Sequence, residues 1–80
     1  MSNTITIADL VITATAANVT AEQSKGIEAA ISRVARRAEI SATKRNRSKQ
    51  RTIKEAVNAL VGFGNTIHGA RVAVSYRNIV

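Results

Sequence analysis

Eighty residues with twelve Lys and Arg against five Asp and Glu, a formal charge of +7, and no cysteine, tryptophan or proline leave few kinds of protein open. Such a length holds one domain, and it buries only about 60% of the surface its unfolded chain exposes. With no cysteine and a single histidine, neither a disulfide nor a zinc site can staple the core, so self-association is the remaining source of buried area and a homodimer is expected.

No run approaches the ~20 apolar residues of a membrane span, so no membrane partner is expected. Residues 10–17 look superficially like a signal-peptide core. However, no Lys or Arg precedes them and Asp9 stands directly before them, which excludes that reading. The Asn-x-Ser/Thr matches at Asn18 and Asn46 are then chance matches, and the absence of cysteine fits a cytoplasmic protein.

The first element is Thr4-Ile5-Thr6-Ile7, whose strict alternation is that of a half-buried strand. Leu10, Ile12 and Ala14 alternate in the opposite parity. A bulge near Ala8-Asp9 accounts for the flip, because Ala-Asp is poor chemistry for a two-residue hairpin turn. Thr20 with Gln23 forms a capping-box signature that opens a helix, and Ile27, Ala30, Ile31, Val34, Ala35 and Ala38 make its apolar stripe. A second stripe follows in Ile53, Ala56, Val57, Leu60 and Val61. Thr52 with Glu55 offers its own capping box, and Gly62 or Gly64 is its natural stop.

Residues 41–51, between the stripes, carry no apolar side chain larger than Ala42 and read as a basic connector. A single uninterrupted helix would run roughly 60 Å and could not fold back on a small sheet, so two helices are expected. Phe63 plugs the end of the core in this reading. Val72, Val74 and Tyr76 then share one face of a final strand, with Gly69 at its start or at a bulge. The order is strand, helix, helix, strand. It implies an α+β fold: a small antiparallel sheet with two helices on one face, completed by dimerisation.

The chemistry lies in residues 33–54, which hold nine of the twelve cations and one acid, Glu39. Arg33, Arg36 and Arg37 project from the back and one flank of the first helix. Lys44, Arg45, Arg47, Lys49, Arg51 and Lys54 crowd into residues 44–54, with no acid among them and interleaved with Asn46, Ser48 and Gln50. A dense acid-free run is relieved by a phosphate backbone, which neutralises it and releases counterions. Arginine also holds phosphate bidentately. Asn46 and Gln50 could read adenine edges if the segment were helical in a major groove. Two aromatics make a poor stacking platform, which favours duplex DNA or structured RNA over single strands.

A basic run is commonly only a solvated face. The alternatives are a regulatory or inhibitory protein, of a kind viruses encode, that binds an acidic surface of another protein, and a structural or assembly subunit. Strand-helix-helix is also the order of ribbon-helix-helix repressors, but the first strand here has no Lys or Arg and the last strand has no place in that pattern. Val61-Gly62-Phe63-Gly64 before a basic strand resembles a turn of the HU/IHF family of DNA-bending proteins. That likeness covers four residues and lacks the family's basic arm and proline tip, so no function is carried over. Catalysis is not expected: His68 is a lone imidazole in a Gly-flanked turn, and no acid pair shares a face with a nucleophile. No cofactor or metal is implied.

Overall fold

The parity flip between Ile7 and Leu10 is a hairpin. In the computed structural model, which describes residues 2–62 and 67–79, Ala8 and Asp9 both take positive φ, 52° and 61°. Positive φ at both central residues is the mark of a two-residue I′-type turn. Strand β1 (Ser2–Ile7) thus pairs antiparallel with β2 (Leu10–Thr15), Ile7 opposite Leu10. An antiparallel pair closed by two residues sets odd positions of one strand against even positions of the other. Reversed parity is therefore what the turn requires, and the expected bulge is replaced by a second strand.

Strand β3 (Ala73–Asn78) pairs with the other side of β2, giving the order β1-β2-β3. Among the described residues the order is strand, strand, helix, helix, strand. Three rows of side chains cross the inner face: Asn3, Ala14, Val74; Ile5, Ile12, Tyr76; Ile7, Leu10, Asn78. The outer face carries Ser2, Thr15 and Ala73, then Thr4, Thr13 and Ser75, then Thr6, Val11 and Arg77.

Both helices cover the inner face. Helix α1 (Ala21–Lys44) begins with the expected capping box: Gln23 N donates to Thr20 Oγ1 at 3.1 Å, and Thr20 N to Gln23 Oε1 at 3.0 Å. Its buried stripe runs further than the large apolar residues indicate, from Ser24 through Ile27, Ile31, Ala35 and Ala38 to Ala42. Helix α2 (Lys49–Val61) buries Ile53 and Val57 and is capped at its far end by Gly62. Leu10, Ile12, Ile27, Ile31, Ile53 and Val57 form the fully buried centre.

The connector is shorter than residues 41–51. Residues 41–44 are the last turn of α1, and residues 49–51 the first turn of α2. A Schellman motif stops α1: Asn46 takes φ 55°, Arg47 N donates to Ala42 O at 2.9 Å and Asn46 N to Thr43 O at 3.3 Å. The cap of α2 is Ser48 rather than Thr52, with Arg51 N donating to Ser48 Oγ at 3.4 Å. Thr52 lies inside the helix and donates from Oγ1 to Ser48 O.

Gly69 sits ahead of β3 in a tight turn closed by Ile67 and Ala70, where His68 and Gly69 both have positive φ. The roles expected of Phe63 and Gly64 lie outside the described residues.

Candidate nucleic-acid interface

The Schellman motif and the Ser48 cap together build a four-residue join, residues 45–48, between two helices that pack side by side. Ending α1 through Asn46 and starting α2 at once keeps Lys44, Arg45, Arg47, Lys49 and Arg51 within about two helical turns of one another. All five side chains are exposed. Arg33, Arg36 and Arg37 are exposed as well, on the side of α1 opposite the buried stripe. At about 100° per residue, Arg33, Arg37 and Lys44 fall within a narrow sector of α1, and Arg36 lies across Ile40 from them. Ile40 itself is 56% exposed, an apolar side chain set among these cations.

Residues 33–54 carry a net +8 against +7 for the whole chain. The rest of the molecule is therefore close to neutral, and the positive field belongs to the helix backs and the join. Among the described residues the one ion pair is Arg51 Nε to Glu55 Oε1 at 3.2 Å, exposed at both ends. Exposed pairs of this kind contribute little.

Electrostatics at the join are lopsided. Lys44 at the end of α1 suits the negative end of that helix dipole. The first turn of α2 holds no acid and begins instead Lys49-Gln50-Arg51, cations placed against the positive end of the dipole. Arg47, Ser48, Arg51, Thr52 and Glu55 line an open groove of about 390 Å³ beside this turn.

Two of the residues singled out in the sequence are turned inward. Gln50 is half-buried and donates from Nε2 to Ala8 O at 3.3 Å, which occupies the amide that would read a base. Lys54 is half-buried, with Nζ 5.9 Å from the centre of the Tyr76 ring. It lies toward β3, away from the join. Asn46 is exposed but serves as the left-handed cap, so the segment is not the continuous helix that groove reading would need.

Tyr76 offers no stacking platform. Its hydroxyl lies 3.2 Å from Lys54 O and 3.0 Å from Asn58 Oδ1, and burial pushes its pKa up from 10.0. Sequence reasoning missed Ser48 as a cap because the stronger-looking Thr52–Glu55 box lies one turn on.

Among the described residues no three His, Cys, Asp or Glu side chains gather to hold a metal, and no helix is long and apolar enough to cross a membrane. Comparison with family models, characterised proteins and solved structures finds no match to the chain.

Proposed function

We propose that the protein binds nucleic acid, duplex DNA or structured RNA, by clamping phosphates with the join and the back of α1. The observation that carries this reading is the placement of cations against the protein's own stability. Lys49 and Arg51 occupy the end of α2 where acids belong, flanked by Arg45 and Arg47; the acids nearby are Glu55, paired with Arg51, and Glu39, which lines a groove with Lys44 and Lys49, fewer than the cations they face. A phosphate backbone supplies the missing negative charge, and helix N-termini are ready partners for phosphate. Binding is through backbone rather than base. Gln50 is engaged by Ala8, Tyr76 by Lys54 and Asn58, and Asn46 stands in a left-handed cap rather than on a groove-reading helix, which argues against adenine reading by this segment and against stacking. A cysteine-free chain suits a reducing cytoplasm, where such partners are abundant.

Anisotropy titration against duplex DNA, duplex RNA and single strands at several salt concentrations tests the proposal. With five or six phosphates engaged, log affinity falls against log salt with a slope of roughly −5 on duplex DNA, nearly independent of sequence. Absence of binding to all three at low salt would overturn it.

A further inference from the structure

Strand β1 is an outer strand of the sheet, and nothing in the strand blunts it as an edge. Edges are commonly protected by Lys, Pro or a bulge. Ser2-Asn3-Thr4-Ile5-Thr6-Ile7 has no charge and no bulge, and its last four residues are all β-branched. The two-residue turn closes on Ile7 and Leu10 as a hydrogen-bonded pair. By alternation, the N–H and C=O of Thr4 and Thr6 then point away from β2.

The helix above this edge is locked to it: Asn3 Nδ2 donates to Ser24 Oγ at 2.8 Å and to Ser24 O at 3.2 Å. The flank of α1 opposite the one that meets the His68 turn carries Lys25, Glu28 and Ser32, whose charges cancel.

We propose that β1 is a self-association edge, on which β1 of a second copy pairs antiparallel about a two-fold axis perpendicular to the sheet. The result is a six-stranded sheet with both helical layers on one side and the basic joins at opposite ends of that side. Charge selects this edge. Two copies of a +7 chain approach with least repulsion along a surface free of net positive charge, and the two-fold sets Lys25 of each copy toward Glu28 of the other. The opposite edge, β3, carries Arg77, so pairing there would bring a cation from each copy into one short ladder.

Area sets the strength. A strand of about 20 Å and a two-layer depth of 19 Å give a footprint of about 400 Å² per copy, hence about 800 Å² in total. That is below the ~1,200–2,000 Å² of a stable interface, so a weak, reversible dimer with a dissociation constant in the micromolar range or above is expected. Nothing in this pairing depends on nucleic acid.

Sedimentation velocity on nuclease-treated protein, from well below to well above that concentration, tests it. The wild type moves from monomer to dimer and stops there. Thr4→Lys/Thr6→Lys stays monomeric throughout, and Ser75→Lys on β3 behaves as wild type. Amide exchange of the wild type adds a readout that needs no variant. The N–H groups of Thr4 and Thr6 slow as concentration rises, while those of Val74 and Tyr76 do not. A monomer at every concentration, growth beyond two copies, or dissociation by Ser75→Lys in place of the β1 change overturns the proposal.

Discussion

Gln50 Nε2 donates to the main-chain carbonyl of Ala8 at 3.3 Å, tying the first turn of α2 to the tip of the β1–β2 hairpin. A second tie comes from the chain's far end, where Ile79 N donates to Asp9 O at 2.8 Å. Together they hold a turn whose residues are poorly suited to it. Ala8 sits at φ 52°, a left-handed conformation costing about 1–2 kcal/mol for a residue with a Cβ. Ala8→Gly is expected to raise stability by about 0.5–1 kcal/mol, less than the full strain because glycine loses more entropy on folding. Gln50→Ala is expected to cost about 1 kcal/mol. Urea unfolding of both variants checks the pair. A destabilising Ala8→Gly would show that its packing against the core outweighs the strain.

The hairpin also marks where the sequence was legible and where it was not. Alternation located β1, the start of β2 and the Val72–Val74–Tyr76 face correctly, because period-two burial is a local property of a pleated strand. Turn chemistry misled, because the local preference against Ala-Asp was overridden by contacts from residues 50 and 79. The same applies at the join. Asn46 is a recognisable left-handed cap and Ser48 a recognisable N-cap, but neither stands out amid a run of cations. Their pairing into a tight join depends on helix packing. The Thr20–Gln23 box was readable because both partners lie within one turn. The inward pull on Gln50 and Lys54 was not, because Ala8 and Tyr76 are distant in sequence.

Two glycines should respond oppositely to alanine. A Cβ on Gly26 would meet His68 Nε2 at 2.8 Å, the far end of an exposed side chain that can swing aside. A Cβ on Gly62 would meet the Asn58 carbonyl oxygen at 2.6 Å, which is backbone and cannot move. Gly26→Ala combined with His68→Ala is expected to gain about 1 kcal/mol over His68→Ala alone, from helix propensity. Gly62→Ala is expected to lose about 1–2 kcal/mol through local strain. Thermal melts of the variants decide it. A gain at Gly62 would mean that the end of α2 relaxes freely.

Tyr76 provides a pH signature. Its hydroxyl bridges to Lys54 O and Asn58 Oδ1, and Tyr76→Phe is expected to cost about 1 kcal/mol near neutrality. Desolvation raises the pKa of the folded state above the ordinary 10.0. The neutral phenol is therefore favoured on folding, and the contribution is full below pH 10. It is lost as pH rises through the folded value, because the unfolded chain ionises first. The stability difference between wild type and Tyr76→Phe should be flat up to about pH 9 and shrink above pH 10. As the chain's one tyrosine, Tyr76 reports its own ionisation by absorbance. A difference that grows with alkalinity would contradict the assigned direction.

The sharpest test of the proposed function sets stability against binding at Arg51. This residue is the third of α2 after the Ser48 cap, where a capping box calls for Glu or Gln. The chain already builds such a box at Thr20 and Gln23. Arg51→Gln would recreate it at α2, satisfying the N–H of Ser48 and removing a cation from the positive end of the dipole. Against this stands the loss of an exposed pair with Glu55, which is of small value. The variant is expected to be more stable by about 0.5–1 kcal/mol. Its affinity for duplex DNA should fall, with the salt slope shallower by about 0.9 if Arg51 neutralises one phosphate. Increased stability with unchanged salt dependence would show that Arg51 touches no phosphate. Reduced stability would show that the arginine serves the fold, and the cation placement at α2 would cease to argue for a polyanionic partner.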